Sequence, residues 1–128
     1  MAEGDAGLFH PEARSEASDL ARAVEDFLRE QAARGGSPHT ARAQRLDLQK
    51  LQDHATTEGW EGLTVPGRSL RRFAQGLAER GLDPASQARI LSTVRAFFRW
   101  LFETGRLASN PAEGLRNPRQ PKRLPAFL

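Results

Sequence analysis

Residues 83–105 read DPASQARILSTVRAFFRWLFETG, and this pattern predicts one long amphipathic helix from Pro84 to about Thr104. Asp83 and Pro84 suit the N-cap and the first helical position, and Gly105 suits the end of a helix. At about 100° per residue the large apolar side chains fall in one arc, which we expect to face a core. Trp100, at the edge of this arc, is expected to pack against another helix. The arc contains Ile90, Leu91, Val94, Phe97, Phe98, Leu101 and Phe102.

The opposite half of this helix carries arginines and small residues, with no acidic residue before Glu103. Such a surface can approach a DNA groove closely and contact phosphates. The alternative is a helix whose arginines are merely solvated, but a purely solvating face usually mixes charges of both signs at i,i+4 spacing. DNA binding requires these arginines to lie on the surface and outside internal carboxylate pairs. The candidate DNA-binding residues of this half are Arg89, Ser92, Arg95 and Arg99.

Three further helices are predicted upstream of this one. The first starts near Ser18 and stops at Gly35–Gly36, and the second starts with the Ser37–Pro38 pair. The third is expected to be capped by Thr64 and to end at Gly81. Because the connections are short and no segment alternates as a strand would, the sequence predicts an all-α, compact four-helix bundle.

The helical domain is expected to cover residues 18–116. Residues 1–17 are rich in glycine, alanine and acidic residues, which predicts a flexible leader. Residues 117–128 contain three prolines and predict an extended basic linker. Lys122 and Arg123 in this linker are further candidates for DNA contact.

The first turns of the second helix hold another group of polar and basic residues. Unpaired backbone N–H groups and the positive end of the helix dipole favour phosphate at such a position. Ser37 is better explained as a simple N-cap than as a phosphate ligand. Gln44 could read a base edge or simply hydrogen-bond water. The candidates in this region are His39, Thr40, Arg42, Gln44 and Arg45.

Charge is distributed unevenly along the chain. Residues 1–30 contain eight acidic and three basic residues, whereas residues 31–128 contain sixteen basic and eight acidic residues. A basic C-terminal part is typical of a protein that binds a polyanion such as nucleic acid. A solvated surface that is merely rich in arginine remains the alternative.

Composition excludes several classes of protein. The sequence has no cysteine and no tyrosine, so disulfides, thiol catalysis and a tyrosine nucleophile are excluded. His10, His39 and His54 are too scattered for a metal cluster. No apolar run approaches the ~20 residues of a membrane span, and no secretory signal is present. We therefore expect a cytoplasmic protein that needs no cofactor, membrane or small-molecule substrate.

Short motifs follow one another along residues 18–128. They are Ser-Pro-His-Thr (37–40), Asp47-Leu48, Leu63-Thr64, Arg80-Gly81-Leu82, Arg89-Ile-Leu-Ser-Thr-Val-Arg95-Ala-Phe-Phe98, Asn110-Pro111 and Pro-Lys-Arg-Leu-Pro (121–125). This ordered set resembles the N-terminal core-binding domain of the Xer-type tyrosine recombinases, of the phage integrase family. The resemblance implies a SAM-like four-helix bundle that forms half of a clamp around duplex DNA, with the second and fourth helices facing the major groove.

The same resemblance implies a role in site-specific DNA recombination and integration, including chromosome-dimer resolution. The implied partners are double-stranded DNA and other recombinase protomers in a DNA-bound tetramer. Gln44 departs from the family pattern, which has a tyrosine there, so the contact of that tyrosine is not carried over. The family's catalytic residues belong to a second domain, which would begin where this sequence ends. We therefore expect no strand cleavage by this chain alone, since it has no tyrosine to form a phosphotyrosyl bond.

Two other classes of function are compatible with a chain of this size. A helical protein–protein interaction module is the alternative, although no clear exposed apolar patch supports it. An independent enzyme is disfavoured because the sequence shows no paired carboxylates, phosphate-binding loop, metal ligands or Ser/His/Asp set.

Overall fold

The computed structural model describes the backbone of residues 11–117 and the side chains of residues 19–117. Residues 11–117 contain four α-helices: α1 (Pro11–Ala33), α2 (Pro38–Glu58), α3 (Gly67–Glu79) and α4 (Pro84–Glu103). Within the described residues the only β pairing is an isolated bridge between Glu61 and Thr64. The prediction of an all-α four-helix bundle is confirmed. The predictions for residues 1–10 and 118–128, which include Lys122 and Arg123, concern residues outside the described part.

The predicted caps of α2 and α4 are present. The Thr40 N–H donates to the Ser37 hydroxyl at 3.0 Å, and the Ser86 N–H donates to the Asp83 carboxylate at 2.7 Å. The second bond holds the pKa of Asp83 below its usual range, because it stabilises the charged carboxylate. Both helices therefore begin where the N-cap and proline pairs predict.

Two helix starts differ from the sequence prediction. α1 begins at Pro11 rather than near Ser18, so the backbone of residues 11–17 is helical. Proline is tolerated in the first turn, and the glutamate, alanine and arginine that follow are good helix formers. α3 begins at Gly67 and not after a Thr64 cap. The reason is Pro66, which disfavours helical geometry at the residue before it and itself lies at the N-cap with ψ 135°.

The core forms where the apolar arc of α4 meets the other three helices. α4 contacts α1, α2 and α3, and its Val94, Phe97, Phe98 and Leu101 are completely buried. The ring of Phe27 in α1 meets that of Phe97 edge-on at 5.5 Å. Trp100 is 8% exposed with its ring 5.6 Å from Phe27, so its predicted packing against another helix is confirmed.

One member of the predicted arc does not belong to the core. Phe102 is 45% exposed, because it lies at the margin of the arc in the last turn of α4, where none of the other described helices covers it. Downstream of α4, Ala112 and Leu115 are buried and extend the core. Among the described residues, no helix is long and apolar enough to cross a membrane.

Candidate nucleic-acid interface

The outer face of α4 presents two arginines that form no ion pair within the described part of the chain. Arg99 is exposed and Arg95 half-buried on the side opposite the core, and Ser92 is exposed between them. Neither arginine forms a salt bridge with any residue of the described part of the chain. Residues four positions apart on a helix lie on the same face. Arg95 and Arg99 can therefore contact the same anionic surface.

Arg89 differs from the sequence expectation. Its Nη1 lies 2.7 Å from both carboxylate oxygens of Asp47 in α2, so it is held in an internal carboxylate pair. The expectation that all three arginines escape such pairs is wrong for this residue. The helical period of α4 alone cannot reveal a partner 42 positions away. The Arg89 side chain is still 52% exposed, so part of the guanidinium remains accessible.

The first half of α2 contributes a second exposed group. His39, Thr40 and Arg42 are exposed, and Arg42 makes no salt bridge with a described residue. The Ser37 hydroxyl donates to the Thr40 hydroxyl at 3.0 Å, in addition to capping the helix. Arg42 is therefore the strongest candidate for an anion contact at this end of α2.

Two other candidates in α2 have less accessible positions. Arg45 donates to both carboxylate oxygens of Glu25 in α1, at 2.6 and 3.0 Å, and this bonding lowers the pKa of Glu25. The two side chains are half-exposed, so the pair is weak and can exchange for a phosphate. Gln44 is half-buried and lies one turn before Leu48 on the stripe that faces the bundle. Its predicted base contact therefore has the weakest geometric basis.

The cations of α1 whose side chains are described, Arg22 and Arg29, are engaged by neighbouring acids. Arg22 lies 4.0 Å from Asp19, and Arg29 lies 3.0 Å from Asp26. Asp26 also accepts from Arg106, whose guanidinium lies 4.5 Å from the centre of the Trp100 ring. These bonds, chiefly the one from Arg106, lower the pKa of Asp26. The α1 side of the bundle is therefore locally neutralised, whereas the outer side of α4 is not.

Sequence reasoning missed Asp47 as the buried partner of Arg89. Asp47 is 1% exposed, and it also accepts a hydrogen bond from the Thr93 hydroxyl at 3.0 Å. One signal was present: an acidic residue directly precedes the buried Leu48 on the apolar stripe of α2. An acid in such a place requires a partner.

The described residues offer little to other chemistries. No group of three or more His, Asp or Glu side chains among them could hold a metal ion. Ser69, His54 and Glu58 lie together, but Ser69 is 1% exposed and donates to Glu58 at 2.8 Å. A hydroxyl so enclosed cannot reach a substrate, and the cluster joins α2 to α3.

Comparison with known proteins shows the family to which this bundle belongs. The family model described as "Phage integrase, N-terminal SAM-like domain" matches residues 24–105. A "Tyrosine recombinase XerC" from Xanthomonas campestris pv. campestris (strain B100) is 41% identical over 108 residues, which is 83% of this chain and 34% of the relative. A protein of the same name from Chlorobaculum parvum is 37% identical over 115 residues, covering 84% of this chain and 34% of the relative.

The match therefore covers only part of the length of each relative. A third one, the "Tyrosine recombinase XerC" of Azotobacter vinelandii, is 41% identical over 95 residues, 72% of this chain and 31% of its own length. The chain spans about a third of the length of the curated relatives it matches. No solved structure matches it.

Proposed function

Since the chain belongs to the phage integrase N-terminal SAM-like domain family, we propose that it is the core-binding, DNA-binding domain of a site-specific tyrosine recombinase. Its task is to hold one side of duplex DNA during recombination and integration. The observation that carries this proposal is the placement of Arg95 and Arg99, without carboxylate partners among the described residues, opposite the core of α4.

Contacts to phosphate account for most of the proposed binding. Such contacts fix register and orientation on the duplex, and base edges read in the major groove add specificity. Arg42 extends the surface onto α2, and Arg89 and Arg45 join it through the exposed parts of their guanidinium groups. The proposed DNA-binding set is His39, Thr40, Arg42, Gln44, Arg45, Arg89, Ser92, Arg95, Arg99, Lys122 and Arg123.

The bundle contributes positioning to a reaction whose chemistry lies elsewhere. A clamp that holds DNA against a nucleophile replaces an encounter in solution by a fixed geometry. This chain has no tyrosine, so it cannot itself form a phosphotyrosyl intermediate. Cleavage is therefore assigned to the part of the recombinase that corresponds to the rest of the relatives' length. The proposed partners are duplex DNA in the cytoplasm and other protomers of a DNA-bound tetramer, acting in chromosome-dimer resolution.

A protein–protein interaction module is the alternative, and the surface gives it little support. Among the described residues the large exposed apolar side chains are Leu46, on α2, and Phe102, on α4. Two isolated side chains on different helices do not make the contiguous apolar patch that marks a protein interface.

Fluorescence anisotropy with a labelled duplex tests the proposal. If four to six cations contact phosphate, the slope of log K against log salt concentration is roughly −4 to −5. We expect measurable binding at low salt and near-complete loss at physiological salt. Binding that does not depend on salt, or no binding at low salt, contradicts the proposal.

A further inference from the structure

We propose that Asp47 is a positioning residue for DNA binding, which holds Arg89 at the seam between α2 and α4 so that the rest of the guanidinium meets a phosphate. This inference rests on the proposed function, because Asp47 is proposed to fix the position of Arg89 on the same DNA-binding surface. Asp47 touches no DNA itself, because it is buried beneath Arg89.

The burial of Asp47 sets it apart. It is the one acidic residue that is buried among the described residues, with 1% of its surface exposed. Its carboxylate is bound by α4 on two sides: by Arg89 Nη1 at 2.7 Å to each oxygen, and by the Thr93 hydroxyl at 3.0 Å. The Thr93 hydroxyl oxygen also lies 3.3 Å from the backbone carbonyl oxygen of Arg89. Three hydrogen bonds therefore tie the Asp47 carboxylate to a single turn of α4, two from Arg89 and one from Thr93.

Stability alone does not explain this arrangement. Removing the Asp47 carboxylate from water is costly, and a well-packed apolar pair of similar volume joins two helices equally well or better. The residues beside the pair show that apolar packing is available here, since Leu48, Ile90 and Val94 are all buried. An ion pair at this seam is therefore better explained by what it does to Arg89.

The geometry leaves Arg89 ready to bind an anion. Only Nη1 is used by Asp47, and the Nε and Nη2 groups donate to no described residue. The side chain is 52% exposed although it is fixed at one end. A long side chain that is already ordered loses less conformational entropy when it binds. Lysine cannot reproduce this arrangement, because it lacks the planar fork that serves two acceptors at once.

The direction in which one substitution changes DNA affinity separates this positioning role from a purely electrostatic one. Asp47 is negative, so removing its charge should strengthen the attraction for DNA if charge alone matters. If Asp47 positions Arg89, the same substitution weakens binding although the protein becomes more positive. Asp47→Asn is the test, because asparagine keeps the shape of the side chain and removes the charge that holds the guanidinium.

The experiment is anisotropy with a short labelled duplex, over a range of salt concentrations. Loss of one phosphate contact corresponds to roughly 8-fold weaker binding in 0.1 M salt and to a salt slope smaller by about 0.9. We expect that result for Asp47→Asn and for Arg89→Lys, which retains its charge. The matched control is Asp53→Asn, which removes an equal charge from an exposed position on α2 and should leave binding equal or slightly tighter.

Circular dichroism and thermal unfolding establish that each variant is folded. If Asp47→Asn does not fold, the double variant Asp47→Leu, Arg89→Met replaces the pair by apolar residues and should fold and bind more weakly. A folded Asp47→Asn that binds as well as or better than the parent overturns the inference, as does a double variant with undiminished affinity. If the parent itself fails to bind the duplex at low salt, the proposed function falls, and this inference falls with it.

Discussion

Replacing both Arg95 and Arg99 by alanine should weaken DNA binding strongly while leaving the fold intact. Neither side chain forms a salt bridge with a described residue, so their removal leaves no buried acid unpaired. Each lost phosphate contact costs a factor of about 8 in 0.1 M salt. The double variant should therefore bind about 60-fold more weakly, which is about 2.4 kcal/mol, with a salt slope smaller by about 1.8.

The matched control removes two arginines from the opposite side of the bundle. Arg22→Ala with Arg29→Ala changes the net charge equally, but both side chains are paired with acids of α1. We expect this control to weaken binding at most a few-fold through long-range charge, and anisotropy measures both variants under the same conditions. Equal losses for the two double variants would refute the reasoning, because DNA would then respond to net charge and not to the outer face of α4.

Two further predictions concern the bundle itself. Phe98→Ala should destabilise the protein by ~3–5 kcal/mol, because Phe98 is completely buried at the centre of the core, and urea denaturation measures the loss; a loss below 1 kcal/mol would contradict this packing. Hydrogen bonds from Arg72 and Ser69 lower the pKa of Glu58 from its ordinary 4.5 to about 2. The stabilisation from Glu58 is therefore present above pH 4.5 and is lost as the pH falls toward 2. The free energy of unfolding of Glu58→Gln should depend less on pH in that window than that of the parent protein. An unchanged pH profile would contradict this prediction.

Local signals in the sequence predicted the helices and most of the core. The core face of α4 follows from the 3.6-residue period, because a helix that packs against three others must bury one face. The caps at Ser37 and Asp83 follow from short-range hydrogen bonding, which the sequence specifies directly. The same period predicts that Phe102 lies in the core, which is wrong. A period gives the angle of a side chain around its helix, but it does not show where the neighbouring helices end.

Long-range partners could not be predicted in this way. The Arg89–Asp47 and Arg45–Glu25 pairs join different helices, so no period within one helix reveals them. They divide the predicted basic residues into those held by carboxylates and those, such as Arg95 and Arg99, that no described acid engages. The start of α3 was missed for a different reason, since two local signals competed and Pro66 prevailed over the Thr64 cap.

The most direct test of the central claim is an NMR titration of the isotope-labelled chain with a short DNA duplex at low salt, followed by backbone amide shifts. If the outer surface of α4 and the first half of α2 hold the DNA, the largest shifts appear between residues 39 and 45 and between residues 89 and 99. The amides of residues 19–33 in α1 should change little, because Arg22 and Arg29 are already paired with acids. Shifts concentrated on α1, or spread evenly over all four helices, would contradict the account.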